Sequence, residues 1–151
     1  MKKLIAMLVG AALIGGCHGA RPSSGPTAAA GPTTPGAADA TAAVRAYLRS
    51  VEQQDLQAMG AVWGGPDGPA RDLLGRDELY QREFVMMCAL KHDRYDIVGD
   101  AENTTGGRSV VVNLFSGSDS HSHTFDVVPG PQGRWYVRSV DLKTVSTCGK
   151  T

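Results

Sequence analysis

Helical periodicity marks the chain directly after residue 39. Apolar side chains recur there at i, i+3, i+4 and i+7, a spacing that places them on one face of a helix. Asp39 precedes the run and is a typical N-cap residue, so we expect a helix that begins at Ala40 or Thr41. The apolar face consists of Val44, Tyr47, Leu48 and Val51.

Two more helical segments are predicted before residue 93. Asp55 can begin a second helix, or a bent continuation of the first, that ends near Trp63, and residues 64–69 form a Gly- and Pro-rich loop. A third helix should run from about Arg76 to His92, because acidic residues lie near its start and basic residues near its end. We expect its inner face to carry Tyr80, Phe84, Met87 and Cys88, with Leu79, Met86 and Leu90 widening the apolar stripe.

From Tyr95 onward the apolar period changes to two, which is typical of strands. The predicted strands cover residues 94–102, 108–116, 121–129 and 135–145, and residues typical of turns separate them. Such short links imply antiparallel neighbours. Helices followed by strands indicate an α+β domain, in which the N-terminal helices pack on one face of a curved four-stranded antiparallel sheet.

Three local features accompany this order of elements: the first helix ends near Gln54-Asp55-Leu56, a second helical stretch runs to Trp63, and the closing strand reads Gly133-Arg134-Trp135-Tyr136-Val137. Together they resemble the nuclear-transport-factor-2-like superfamily, a cone-shaped α+β fold. The resemblance covers roughly residues 40–146. A cystatin-like fold is the alternative, because a helix packed on a curved sheet gives a similar order.

The N-terminus has the features of an export signal. Lys2 and Lys3 precede an apolar stretch of residues 4–14, which as a helix would be about 16 Å long. A bilayer core is about 30 Å thick, so the stretch is too short to span it and suits a signal peptide of residues 1–16. The sequence Leu13-Ile14-Gly15-Gly16-Cys17 closely resembles the lipobox of bacterial lipoproteins.

The lipobox resemblance implies cleavage before Cys17 and attachment of fatty acyl chains, such as palmitate, to that residue. Two or more chains hold a protein on a membrane where one chain is marginal. The protein would then lie in the cell envelope outside the cytoplasm, and His18 in place of Asp favours the outer membrane if the cell has one. The alternative is an ordinary secreted protein in which the cysteine occurs by chance.

A flexible tether is predicted between the anchor and the domain. Of the 22 residues from His18 to Asp39, 19 are Pro, Gly, Ala, Ser or Thr, and none is a large apolar residue. Such a segment cannot bury enough surface to offset its ordering entropy. The chain therefore divides into a signal peptide, a lipidated cysteine with a disordered tether over residues 17–39, and an α+β domain over residues 40–151.

Three cysteines occur in the chain. If Cys17 is acylated, Cys88 and Cys148 remain, and export permits them to form a disulfide. The bridge would connect the third helix to the chain just beyond the last strand. Two free thiols or a metal-binding pair are the alternatives.

Candidate catalytic residues are few. Enzymes of the superfamily that the fold resembles work inside the cone, where Tyr47, Trp63, Tyr80 and Asp126 are the candidate lining residues here. None of them lies in a recognisable catalytic motif, and packing in the core or at the rim is the alternative for the aromatic residues. Asp126 is expected to point outward and to pair with a neighbour such as Arg138.

His121 and His123 form the most suggestive local motif. Residues two apart in a strand share a face, so both imidazoles are candidate ligands for one metal ion. Two histidines alone make an incomplete site, and solvated side chains at a hairpin are the alternative.

Charge and composition narrow the function. The chain carries 15 basic and 15 acidic residues, which excludes a strongly basic nucleic-acid-binding protein. We expect a non-enzymatic envelope lipoprotein, without a cofactor, whose domain binds a partner protein or a small apolar ligand. The alternatives are a cavity enzyme of the isomerase, dehydratase or hydrolase type and a weak metal binder through the His121 and His123 pair.

Overall fold

The structure is a computed structural model that describes residues 34–142. The predicted signal peptide, Cys17, the tether up to residue 33 and Cys148 lie outside the described residues. None of the helices within the described part is long and apolar enough to cross a bilayer. The helices are α1 (Ala40–Gln53), α2 (Leu56–Val62), α3 (Ala70–Leu73) and α4 (Arg76–Ala89), and the strands are β1 (Gly64–Gly65), β2 (Gly68–Pro69), β3 (Arg94–Glu102), β4 (Arg108–Ser116), β5 (Asp119–Pro129) and β6 (Trp135–Val140).

The first two helices begin at the predicted caps. A side-chain oxygen of Asp39 accepts a hydrogen bond from the Ala42 amide at 2.7 Å, and Asp55 accepts one from Ala58 at 3.0 Å. Each bond satisfies an amide that has no partner inside its helix. The chain turns between the helices at Gln54, which has a left-handed φ of 54°. The predicted apolar face of α1 is confirmed, since Val44, Tyr47, Leu48 and Val51 are all buried.

The four long strands form one antiparallel sheet in the order β3-β4-β5-β6. Alternate residues of β4 and β5 point to the same face and are buried beneath α1, as a period of two requires. Register shifts between Ile97 and Gly99, and between Asp126 and Val127, interrupt the pairing of the outer strands. The predicted α+β arrangement of helices on a four-stranded antiparallel sheet is therefore confirmed. The buried residues of this face include Val110, Val112, Leu114, Phe125 and Val127.

The folded unit begins before α1. Ala37 is buried and forms an antiparallel bridge with Trp135, and the Gly36 amide donates to the Ala61 carbonyl at 2.8 Å. The Arg134 guanidinium donates to the carbonyl of Gly36 at 2.7 Å. These contacts, together with the bridge between Trp63 and Val137, cover the outer edge of β6. The sequence had assigned residues 36 and 37 to the tether.

The predicted inner face of the third helix is wrong for Tyr80 and Phe84, whereas Met86 and Met87 pack against the core and Leu79 and Leu90 are buried, as predicted. Tyr80 and Phe84 are each 56% exposed, and their rings stack on each other at 6.2 Å on the outside of α4. Leu79 and Glu83 are the buried positions of the helix before its last residue. Apolar residues lie almost all around this helix, so their spacing did not define the direction in which it packs.

Several boundaries differ from the predicted ones. The helix α4 ends at Ala89 instead of His92, and the Nδ1 nitrogen of His92 donates to the Leu90 carbonyl at 2.7 Å just beyond it. Strand β5 begins at Asp119, two residues early, while β3 and β4 have the predicted bounds. Strand β6 ends at Val140, and the last three residues of its predicted range lie outside the described part. The short elements α3, β1 and β2 were not predicted.

Candidate functional site

An open groove runs along one side of α4. It has a volume of about 450 Å³ and is lined by Trp63, Gln81, Arg82, Val85 and Met86, which we call the α4 groove. The two apolar residues of α4 that line it, Val85 and Met86, are neighbours in the sequence. Arg82 forms an ion pair with Glu78 one turn earlier, with 2.7 Å between Nη2 and Oε1. The groove is apolar at its base and basic at its rim.

A second, smaller groove lies on the other side of Trp63. It has a volume of about 180 Å³ and is bordered by α3 and β6, with Leu73, Leu74 and Arg138 among its lining residues. We call it the α3 groove. Trp63 lines both grooves, so they adjoin along one surface. Among the described residues that line these grooves, each groove has one arginine and no carboxylate.

The position of Trp63 is fixed by the backbone. It is the C-cap residue of α2, where its amide donates to the Met59 carbonyl at 2.8 Å, and it bridges to Val137 of β6. The side chain is partly buried and packs against the core. An aromatic ring held in this way between two grooves is a typical anchor for binding, because little side-chain entropy remains to be lost.

Large apolar side chains are exposed on α3 and α4: Val85 lines the α4 groove and Leu73 the α3 groove, whereas Tyr80 and Phe84 line neither. Those more than half exposed on α3 and α4 form what we call the α4 apolar face. A soluble domain seldom exposes such side chains as a group unless they form part of a binding site. The members of this face are Leu73, Tyr80, Phe84 and Val85.

On its opposite side, α4 buries a carboxyl group. Glu83 is only 2% exposed, and its Oε1 has no hydrogen-bond partner. The hydroxyl of Tyr47 on α1 is also buried without a partner. Unpartnered buried oxygens cost free energy, because each has lost its water and gained no hydrogen bond.

Burial and charge act in the same direction on Glu83. Loss of solvent disfavours the carboxylate, and the negative charge of Asp55 disfavours it further, so that the pKa is raised from an ordinary value of 4.5 to about 7. The pKa of Tyr47 is also raised above its ordinary value, first by burial and then by the charge of Glu83. Glu83 therefore changes its protonation near neutral pH in the folded protein.

The four residues named as candidates to line a cone cavity do not meet in one cavity. Tyr47 is fully buried and packs edge-on against Phe125 with 6.2 Å between ring centroids. Trp63 lines the two grooves, and Tyr80 points outward on the α4 apolar face. Asp126 points outward, as predicted. Its carboxylate accepts hydrogen bonds from Ser109 at 2.9 Å and Ser139 at 3.3 Å instead of pairing with Arg138.

Sequence reasoning missed Glu83. The residue lies four positions after Leu79 and seven before Leu90, so it falls on the same helical stripe as two buried leucines. A carboxyl group on that stripe was a usable signal. It was overlooked because Tyr80 and Phe84 suggested a different inner face.

His121 and His123 share one face of β5, as the motif predicts. They line a small pocket of about 80 Å³, together with Lys91 and Asp119. The Nδ1 nitrogen of His123 donates to the Asp141 carbonyl at 2.9 Å. Within the described part of the chain, no three His, Cys, Asp or Glu side chains are grouped so that they could hold a metal ion.

Cys88 is disulfide-bonded. It is partly buried near the end of α4, and its partner lies outside the described residues. Cys148, the predicted partner, is also outside them, so the pairing itself stays a prediction. The bond shows that the end of the helix carrying the α4 groove is covalently tied to another part of the chain.

Comparison of this chain with protein-family models, with curated proteins and with solved structures found no match. Its function therefore has to be inferred from its own residues.

Proposed function

We propose that this protein is a membrane-anchored lipoprotein of the bacterial envelope whose domain binds an apolar segment of a partner protein in the α4 groove. The observation that carries the proposal is the α4 groove together with the exposed apolar side chains that line it and the adjoining α3 groove. Val85 in the α4 groove is 53% exposed, and Leu73 in the α3 groove is 54% exposed. Their exposure is unfavourable in water, and a bound partner would remove it.

The shape of the groove favours a protein segment over a small ligand. Sites for small molecules usually enclose most of the ligand surface, whereas the α4 groove is open to solvent. It also adjoins the α3 groove at Trp63, which gives room for several side chains along one surface. An apolar segment laid across both grooves would bury Trp63 at the centre of the contact.

The charged side chains that line the two grooves indicate the charge of the partner segment. Arg82 and Arg138 each line one groove, on either side of Trp63. A segment with acidic residues on both sides of its apolar residues would meet both guanidinium groups. Its carboxylate at Arg82 would compete with Glu78, which is already paired there. We therefore commit to an apolar segment flanked by Asp or Glu.

The envelope location is proposed from the sequence. Basic residues, an apolar stretch and the lipobox ending at Cys17 together resemble the signal of a bacterial lipoprotein. The domain itself is proposed to belong to the nuclear-transport-factor-2-like folds, because helices precede a curved antiparallel sheet and pack on one of its faces. A tether between anchor and domain would let the grooves reach a partner at the membrane surface.

Photo-cross-linking in intact cells tests the binding surface. A photoreactive amino acid would replace Val85 in the α4 groove, and in a matched variant it would replace Thr104, an exposed residue between β3 and β4. We expect a discrete cross-linked protein from position 85 only, joined through an apolar segment flanked by acidic residues. The same protein from both positions, or none from position 85, would contradict the proposal.

Two further variants test the chemistry of the contact. With the photoreactive residue kept at position 85, Arg138→Glu should reduce the yield of the cross-link severalfold, because it places a negative charge against an acidic segment. Arg45→Glu, an exposed change on α1, is the matched control and should leave the yield unchanged. Equal yields in the two variants would remove the acidic segment from the proposal.

A cavity enzyme is not proposed. The pair of Glu83 and Tyr47 is the type of buried acid that such an enzyme would need, but Glu83 is 2% and Tyr47 is 0% exposed. Neither residue lines any of the grooves described above. A substrate would therefore have no route to these oxygens in this conformation.

A further inference from the structure

Glu83 lies on the same helix as the binding surface but on its opposite side. The exposed residues of the α4 groove, Gln81, Arg82 and Val85, point away from the core, whereas Glu83 points into the contact between α4 and α2. A change in how the Glu83 side chain packs against α2 therefore acts on the helix that carries Val85 and Met86. This link is geometric, because a helix moves largely as a rigid body.

The contact around Glu83 is close. A methyl group built on Gly60 of α2 would lie 2.6 Å from Oε1 of Glu83 and 3.2 Å from Cβ of Arg71. The carboxyl group thus lies directly against the backbone of α2. Water has no access to Oε1, which is fully buried and has no hydrogen-bond partner. Negative charge on Oε1 would be neither solvated nor hydrogen-bonded.

The groups that face Glu83 do not compensate such a charge. Tyr47 on α1 is neutral, and Asp55 at the start of α2 is acidic and adds repulsion. Arg71 on α3 is the basic residue near this contact. Its Nε lies 3.8 Å from Oδ1 of Asp72, so part of its charge is already directed to another carboxylate.

We propose that the proton on Glu83 is a switch for the binding surface: with the proton bound, α4 stays packed against Gly60, and when the proton leaves, α4 loosens and the α4 groove loses its shape. A raised pKa of about 7 would place the change within the range that an envelope protein meets. Opening follows because water can reach Oε1 only if α4 moves away from α2. This regulation rests on the proposed function, since it governs binding only if α4 carries the binding surface.

Hydrogen exchange of the free protein tests the switch. Exchange of the α4 amides would be followed by mass spectrometry at pH 5.5 and pH 8.5 and corrected for the intrinsic chemical rate. In the wild type, we expect corrected exchange in α4 to be on the order of tenfold faster at pH 8.5 than at pH 5.5, and at pH 8.5 to exceed that of the β4 and β5 amides, which exchange only when the whole domain unfolds. Glu83→Gln should remove the difference, because the amide stays neutral at both pH values.

The matched control is Asp77→Asn, which removes an exposed carboxylate from the first turn of the same helix. This variant should behave as the wild type. The switch would be overturned if α4 of Glu83→Gln kept the wild-type dependence on pH, or if the α4 amides of the wild type exchanged no faster at pH 8.5 than those of β4 and β5. Because the measurement needs no partner, failure to find a cross-linked protein would leave its result intact, and the two proposals can fail separately.

Discussion

Gly60 and Glu83 meet where α2 contacts α4, and no side chain separates the backbone of the one from the carboxyl group of the other. A methyl group on Gly60 would lie 2.6 Å from Oε1 of Glu83, a distance well inside van der Waals contact. The absence of a Cβ at position 60 therefore lets α4 approach α2 closely. It also seals Oε1 of the carboxyl group from water.

Replacement of Gly60 by alanine should destabilise the domain. The new methyl group would force the carboxyl group or α4 itself to move, and overpacking of this kind costs about 1–3 kcal/mol. Gly75→Ala is the matched control, because a Cβ at position 75 meets nothing within 4 Å and its φ is −63°. Urea unfolding would measure the free energy of unfolding of both variants. An equal stability of the two variants would contradict the close contact.

Glu83 should make the domain less stable as the pH rises. Its pKa is about 7 in the folded protein and close to 4.5 when unfolded, so the native state holds the proton more tightly between these values. Stability from this group is fully present below pH 4.5, falls as the pH rises from 4.5 to 7, and is absent above that. The loss is on the order of 3 kcal/mol.

In the variant Glu83→Gln, the free energy of unfolding should not fall in this way as the pH rises. It should match the wild type near pH 4.5 and exceed it at pH 8, because a neutral amide at position 83 avoids a buried charge. Denaturant unfolding at several pH values measures the difference, and Asp77→Asn serves as the control with an unchanged profile. If the profiles of Glu83→Gln and the wild type were parallel, the assignment of the titration to Glu83 would be wrong.

How far the sequence predicted the fold depended on how clear each periodic pattern was. The helix α1 has an N-cap at Asp39 and one apolar face, and both were predicted. Strands β3 and β4 alternate clearly, and their bounds were predicted to the residue. The contacts of Gly36 and Ala37 with the domain were not, since a stretch of small residues carries no periodic signal.

The candidate site was harder to predict, because it depends on the direction in which α4 packs. Tyr80 and Phe84 have the spacing of a buried pair, yet the contact with Gly60 turns Glu83 inward and leaves the two rings outside. Tertiary packing overrides local hydrophobicity in such a helix. The role of Trp63 between two grooves also depends on contacts between α2 and β6, which no local pattern specifies.

The orientation of α4 can be tested by truncating one outward and one inward residue. Phe84→Ala removes a ring that is 56% exposed and should change the unfolding free energy by less than about 1 kcal/mol. Leu90→Ala removes a fully buried side chain just after the helix and should cost about 2–5 kcal/mol. Thermal and urea unfolding would compare them. If Phe84→Ala lost more unfolding free energy than Leu90→Ala, Phe84 would be buried, as the sequence predicted, and the orientation of α4 described above would be wrong.

The disulfide of Cys88 offers a test that also bears on the anchor. If Cys148 is the partner, the bond closes a loop of about 60 residues, and its loss should cost about 4 kcal/mol on the chain-entropy estimate. Cys88→Ser should therefore lower the melting temperature and make it insensitive to reductant, while the protein stays in the membrane fraction.

Peptide mapping without reduction identifies the cysteine to which Cys88 is bonded. A bond from Cys88 to Cys17 would contradict the lipoprotein proposal, because the sulfur of a lipidated cysteine is already bonded to its diacylglyceryl group.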